Sequence, residues 1–120
     1  MKLQLLDLPE DPRKRGEAHG EALREEANTL YQAHLAQLVS QPAITARGIT
    51  DDASYQAYAA RLRPHAESYA PHLWTELEGI AAGARMSVNQ VLAQNLYLES
   101  YDIAHPASPA GLGGCTAWAH

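Results

Sequence analysis

The sequence predicts a mainly helical fold, with about four helices followed by a first β-strand. Three observations predict this class. The chain is rich in alanine, which favours helix. Apolar residues recur at steps of three and four. Residues that cap helices precede several of these periodic segments. Only two segments indicate strands: residues 2–8, in which apolar and polar residues alternate weakly, and residues 115–119.

The first long helix is predicted to begin near Gly16 or Glu17 and to end near Gln41, before Pro42. Acidic residues in its first turns suit the positive end of the helix dipole. Gly16 and Gly20 lie one turn apart, which indicates close approach to another backbone. One apolar stripe is expected along this helix, formed by Leu23, Ala27, Leu30, Tyr31, His34, Leu35 and Leu38.

Residues 43–50 are predicted to form a loop. Asp51 or Asp52 then caps a second helix, in which Pro64 either introduces a kink or starts the next turn.

A third helix is predicted from Pro71 to about Gly83. Its Gly79 and Gly83 have the same spacing as Gly16 and Gly20 and likewise indicate close approach to another backbone. A fourth helix is capped by Ser87, with Gln90 completing a capping box. Residues 105–114 contain two prolines and three glycines and are predicted to be an irregular linker. The aromatic residues expected to pack the helices together are Tyr55, Tyr58, Tyr69, Trp74, Tyr97 and Tyr101.

The bulk composition excludes several classes of function. A chain of 120 residues suits one domain with a modest core, and a net charge of −5 argues against a nucleic-acid partner. One cysteine excludes an internal disulfide framework and fits a reducing compartment. We find neither a signal-peptide pattern nor a stretch of transmembrane length, so a cytoplasmic protein without a membrane partner is expected.

Other polar residues favour structural roles. The six histidines have no zinc-site spacing, so no metal site is expected. No cofactor is expected either. Glu76 and Glu78 differ by two positions and do not share a helix face, so at least one is expected on the solvated surface. Asn95 and Glu99 share a face and are expected to make a structural polar contact with each other or with the linker.

Cys115 is the residue that points most directly to chemistry. It follows Gly113 and Gly114, whose backbone tolerates strained conformations. Its thiol can attack the Gly114 carbonyl. Cleavage of the Gly114–Cys115 peptide bond would leave Cys115 with a free α-amino group. An α-amine with a pKa of about 7.7–8.0 can then serve as the base for the thiol. The alternative interpretation is that Cys115 is a small buried apolar residue.

Three further segments support the catalytic interpretation. Residues 15–23 (RGEAHGEAL), 70–84 (APHLWTELEGIAAGA) and 95–99 (NLYLE) precede the Gly-Cys-Thr of residues 114–116. In this order and spacing, the chain resembles the N-terminal part of the acyl-coenzyme A:6-aminopenicillanic-acid acyltransferase (isopenicillin N acyltransferase) family. These proteins are N-terminal nucleophile hydrolases of peptidase family C45. The resemblance covers residues 15–118, and the ordered combination is more specific than any single motif.

The resemblance implies a precursor that cuts itself between Gly114 and Cys115. Residues 1–104 would then be the helical small-subunit region, residues 105–114 the linker to the cleavage site, and residues 115–120 the start of an α+β catalytic domain with αββα layers. Cys115 would be the nucleophile both in this self-cleavage and in the attack on the substrate. The implied reactions are hydrolysis or transfer of acyl groups from amides or acyl-coenzyme A, and the implied partner is the catalytic large subunit or downstream region.

The sequence departs from that pattern by continuing only five residues beyond Cys115. The oxyanion donors and most of the substrate pocket would lie downstream, so this polypeptide alone is expected to be inactive. A competing hypothesis is a non-catalytic helical interaction module, whose C-terminal tail adds a strand to a partner sheet.

Overall fold

The structure is a computed structural model that describes residues 5–96. This part of the chain is mainly helical, as predicted, but it contains six helices where about four were expected. They are α1 (Pro12–Ala22), α2 (Arg24–Val39), α3 (Pro42–Thr45), α4 (Asp52–Tyr69), α5 (Pro71–Ala84) and α6 (Val88–Asn95). The strand and linker predicted within residues 105–120 lie outside the described residues.

The first long helix is where the prediction was wrong. It begins earlier, at Pro12, because the Asp11 carboxylate accepts a hydrogen bond from the Lys14 N–H and proline fits the first helical position. It is also divided at Leu23, which has φ −113° and ψ 23°. The break lets α1 lie along α5 while α2 turns a different face into the core, so one straight helix does not satisfy both contacts.

Two local predictions were also wrong. Residues 43–50 were predicted to be a loop, but the first of them belong to α3, which Pro42 opens and which buries Ile44. No strand is present in the described part of residues 2–8, where Leu5 is 99% exposed and has no packed face to stabilise it.

The starts of α4, α5 and α6 confirm the capping predictions. Asp51 accepts from the Ser54 N–H at 2.9 Å, and the Ser54 hydroxyl accepts from the Asp51 N–H. Pro71 is the first residue of α5. Ser87 and Gln90 form the expected reciprocal box, with hydrogen bonds of 2.9 and 3.0 Å. Pro64 lies inside α4, which continues to Tyr69.

The core lies among α2, α3, α4 and α6 and includes one side of α5. Tyr31, Leu38, Ile44 and Tyr55 are its largest fully buried side chains. Tyr31 stacks on Tyr55 at 6.0 Å between ring centroids, and Tyr55 stacks on Tyr58 at 6.5 Å. Aromatic packing was therefore predicted correctly for Tyr55 and Tyr58.

Two residues that were predicted to pack between helices are exposed instead. Tyr69, at the end of α4, is 91% exposed and does not pack the helices together. Leu30 of the predicted apolar stripe is 49% exposed, because the stripe includes positions on more than one face of α2. The buried residues of α2 are Tyr31, Leu35 and Leu38.

Candidate functional site

The predicted nucleophile Cys115 and the predicted cleavage residue Gly114 lie outside the described residues, as does Glu99. The structure does place the two long segments that carry the family resemblance. Residues 15–23 fall on α1 and the residue after it, and residues 70–84 form α5 with its N-cap. These segments pack directly against each other, so the α1–α5 pair is the candidate site.

Four glycines allow the backbones of α1 and α5 to touch. A Cβ added at Gly16 would overlap the Glu76 carbonyl oxygen, and one at Gly20 would overlap the Ile80 carbonyl oxygen. From the other helix, a Cβ on Gly79 or Gly83 would overlap the carbonyl oxygens of Arg13 and Glu17, respectively. The sequence prediction of close approach at both glycine pairs is therefore confirmed, and the two pairs serve the same contact.

One ion pair ties the beginning of this contact together. The Arg15 guanidinium donates from Nε to Glu76 Oε1 at 3.0 Å and from the Nη2 amine to Oε2 at 3.1 Å, while its other amine donates to the Glu10 carbonyl at 2.9 Å. The two side chains are 30% and 21% exposed. These two charged hydrogen bonds join α1 to α5 through one residue of each helix.

Electrostatics at this pair favour the charged forms. The hydrogen bonds from Arg15 are the largest influence on Glu76 and lower the pKa of its carboxyl group, with smaller contributions from the charges of Arg15, His19 and His72; partial burial opposes them. The same hydrogen bonds raise the pKa of Arg15. Glu76 is therefore a poor proton donor or acceptor near neutral pH, and its role in the described structure is positioning.

The far end of the same contact is also tied by side chains. Arg24 Nε donates to the Gly83 carbonyl at 3.0 Å, and the Asn28 amide donates to the Ala84 carbonyl at 3.0 Å. These bonds satisfy carbonyl groups at the C-terminus of α5, where intrahelical partners are missing. They also attach the start of α2 to α5.

An apolar groove opens beside the α1–α5 contact. It has a volume of about 230 Å³, and residues of α1, α2, α5 and the break between α1 and α2 line it. Leu30, the half-exposed residue of the predicted stripe, lines this groove. The lining residues are His19, Gly20, Leu23, Glu26, Ala27, Leu30 and Ile80.

A second polar cluster, centred on Asp52, was not predicted. Its carboxylate accepts from the Tyr31 hydroxyl at 2.6 Å, the Gln56 amide at 2.8 Å and the Gln90 amide at 3.2 Å. The Gln56 carbonyl in turn accepts from the Ser87 hydroxyl at 2.7 Å. The cluster joins α2, α4 and α6, and the sequence offered only the prediction that Asp51 or Asp52 caps a helix.

Burial and hydrogen bonding act in opposite directions on Asp52. Burial is the largest single influence and raises its pKa, but the three donated hydrogen bonds together lower the pKa below its ordinary value. Burial and the bond to Asp52 raise the pKa of Tyr31. Both carboxylate oxygens of Asp52 accept hydrogen bonds from side chains, so the cluster is a structural link between helices.

Three further observations concern residues 5–96. Asn95 donates to the Val91 carbonyl at 2.8 Å, within its own helix. No group of His, Cys, Asp and Glu suited to a metal ion is found in this range. None of its helices combines the length and the apolar character needed to cross a membrane.

Comparisons with family profiles, with curated proteins and with solved structures found no match for this chain. The residues and contacts above are therefore the basis for a functional hypothesis.

Proposed function

We propose that this chain is the N-terminal part of a self-processing cysteine N-terminal nucleophile enzyme, an acyltransferase or amidohydrolase that acts on amide or thioester bonds. Cys115 is the nucleophile, its freed α-amine is the base, and Gly114–Cys115 is the bond cut during maturation. The substrate is a small acyl-amide or acyl-coenzyme A, and the partner is the catalytic region that begins at Cys115. We assign the protein to the cytoplasm.

The direct contact between α1 and α5 is the observation that supports this proposal best. The resemblance depends mainly on two segments that are separated by about fifty residues of sequence. In the structure, the glycines of each segment lie against the backbone of the other, and an ion pair joins the two segments. Residues that specify one helix contact have a reason to occur together. The apolar groove, which both segments help to line, fits a helical region that packs against further protein.

The proposed chemistry follows from the groups at the cleavage site. In maturation, Cys115 Sγ attacks the Gly114 carbonyl carbon, the C–N bond breaks, and the thiol proton passes to the leaving nitrogen, so that a thioester and a free amine form. Water then hydrolyses the thioester and releases a chain that ends at Gly114. In turnover, the α-amine takes the thiol proton, Sγ attacks the acyl carbonyl of the substrate, and the amine or thiol leaving group departs with a proton. Water or an acceptor amine resolves the acyl-thioester enzyme.

Intact-mass analysis of the reading frame, expressed with whatever sequence follows His120, tests the proposal. We expect two chains, one ending at Gly114 and one beginning at Cys115, as well as hydrolysis of simple acyl-anilides. Cys115→Ala should leave the precursor uncut and inactive. Ser68→Ala, an exposed change on α4, is the matched control and should be cut and active like the parent protein.

Two results would overturn the proposal. One is a parent precursor that remains uncut, and the other is an acyl-anilide activity that Cys115→Ala does not change. The competing interaction module predicts the first result, an uncut precursor, together with recovery of the chain in a complex through its C-terminal residues.

A further inference from the structure

A basic cavity lies on the side of the molecule formed by the α3–α4 connection and α4. It has a volume of about 340 Å³ and is lined by Arg47, Ile49, Tyr58 and Arg61. That volume is at the small end of the range for ligand pockets. Its charge is opposite to that of the chain, which has a formal net charge of −5.

Neither arginine at this cavity is neutralised within residues 5–96. The ion pairs of this range involve Arg13, Arg15 and Arg63, and no carboxylate pairs with Arg47 or Arg61. The carboxylate closest in sequence to Arg47 belongs to Asp51, and it caps α4 by accepting from the Ser54 N–H and hydroxyl. The carboxylate closest in sequence to Arg61 belongs to Glu67, and it pairs with Arg63 at 2.6 Å. Among the described residues, the two positive charges of the cavity thus have no carboxylate partner.

The Arg61 guanidinium is held in place by aromatic stacking. It lies 5.8 Å from the centroid of the Tyr58 ring, and the same ring stacks on buried Tyr55. The Tyr55 ring stacks in turn on Tyr31, so exposed Arg61 lies at the outer end of a series of stacked rings that reaches the core. An arginine positioned in this way loses less side-chain freedom when it binds an anion.

The backbone that carries Arg47 is also fixed. Its N–H donates to the Ile44 carbonyl at 3.0 Å, and the Gly48 N–H donates to the Thr45 carbonyl at 3.0 Å. Ile44 is fully buried, and Ile49 is only 3% exposed. Gly48 has φ +92°, a value that favours glycine, and its turn allows both isoleucines to reach the core on either side of Arg47.

We infer that this cavity binds the phosphate group of a small phosphorylated molecule. Two guanidinium groups present planar sets of N–H donors that match the oxygens of phosphate, and Ile49 supplies an apolar floor. The inference stands independently of the proposed function, because it uses none of the residues of the α1–α5 contact or of the cleavage site.

Titration of the purified chain with inorganic pyrophosphate, followed by NMR of the arginine Nε–H groups and by calorimetry, tests this inference. We expect saturable binding, with the Nε–H signals of Arg47 and Arg61 shifting together. Arg47→Gln and Arg61→Gln should each weaken the affinity about tenfold or more, since each removes a charged hydrogen-bonding group. Tyr58→Phe keeps the ring and should retain binding.

Arg85→Gln is the matched control, because Arg85 is exposed and does not line the cavity. It should bind pyrophosphate like the parent chain. Absence of saturable binding, or equal weakening by all three arginine variants, would overturn the inference. Vesicles that contain phosphatidic acid serve as a second probe: vesicle binding that requires Arg47 and Arg61 supports the phosphate site and identifies a lipid headgroup as the source.

Discussion

At the scale of single residues, the glycines of α1 and α5 reverse the usual effect of alanine. Glycine in the middle of a helix costs about 1 kcal/mol relative to alanine, so replacement by alanine ordinarily stabilises a helix. Here the added Cβ would enter the backbone of the opposite helix rather than solvent. Because backbone atoms cannot rotate away as a side chain does, the collision must separate the helices.

Gly79→Ala therefore should destabilise the protein. The new Cβ would overlap the Arg13 carbonyl oxygen and lie 2.9 Å from the Glu17 nitrogen and 3.0 Å from the Gly16 Cα. We expect the free energy of unfolding to fall by about 2 kcal/mol, since overpacking costs about 1–3 kcal/mol and outweighs the gain in helix propensity. Urea unfolding followed by circular dichroism measures this difference.

Ala82→Ser provides the control for that measurement. Ala82 is exposed on the same helix, so a larger side chain there meets solvent. Its effect should stay within about 0.5 kcal/mol. A Gly79→Ala protein as stable as its parent would show that α1 and α5 do not meet through these glycines.

At the scale of helices, the Arg15–Glu76 pair should contribute to stability beyond the level of an exposed ion pair. Glu76→Gln removes the carboxylate that accepts two hydrogen bonds from Arg15. We expect a loss of about 1 kcal/mol, because the pair is partly shielded and makes two charged hydrogen bonds, yet remains in contact with water. A double-mutant cycle with Arg15→Gln, measured by urea unfolding, isolates the coupling between the two residues.

The Arg13–Glu17 pair is a matched comparison on the same helix. Its atoms approach to 2.8 Å, but its side chains are 47% and 48% exposed. Glu17→Gln should cost no more than about 0.3 kcal/mol, as is usual for exposed pairs four residues apart. Equal losses for Glu17→Gln and Glu76→Gln would contradict a special role for the contact between helices.

Helix starts could be predicted from the sequence because their signals are local. Asp51, Pro71 and Ser87 mark the starts of α4, α5 and α6, and each acts within a few residues of its own position. The division at Leu23 has no such signal: Leu23 lacks a side-chain cap, and packing of α1 on α5 determines where the chain turns. Sequence periodicity alone therefore predicted one helix where the structure has α1 and α2.

The same distinction applies to the candidate site. Glycine spacing predicted close approach, since a one-turn repeat of small residues is visible in the sequence, but it did not show which helices meet. Arg15 and Glu76 are 61 residues apart, and only the tertiary fold reveals their pairing. Likewise, the sequence predicted only that Asp51 or Asp52 caps a helix, although the Asp52 carboxylate accepts hydrogen bonds from side chains of three helices.

At the scale of the whole molecule, three carboxyl groups link stability to pH. Hydrogen bonding by Ser54, led by its backbone N–H, lowers the pKa of Asp51. The pKa of Glu76 is lowered chiefly by its hydrogen bonds to Arg15. For Asp52, burial alone would raise the pKa, but hydrogen bonds from Tyr31, Gln90 and Gln56 lower it. All three groups therefore bind protons more weakly in the folded chain than in the unfolded chain.

The sign of the pH effect follows from that difference. The contribution of each group is fully present above its unfolded pKa, about 3.9 for Asp and 4.3 for Glu, and is lost as the pH falls through the lower folded value. The free energy of unfolding should thus decrease steadily below about pH 4. Urea titrations between pH 2.5 and roughly 7 measure the slope, since that range spans both reference values.

The triple variant Asp51→Asn, Asp52→Asn and Glu76→Gln tests whether these particular groups produce the slope. Asparagine at position 51 keeps a side-chain oxygen that can cap α4, so this change should cost little at neutral pH while removing the proton-binding group. We expect the triple variant to be less stable at neutral pH and to lose less of its stability on acidification. A variant whose stability falls in parallel with that of the parent chain would mean that other groups cause the acid sensitivity, and that the hydrogen bonds around Asp52 and Glu76 do not favour the ionised forms.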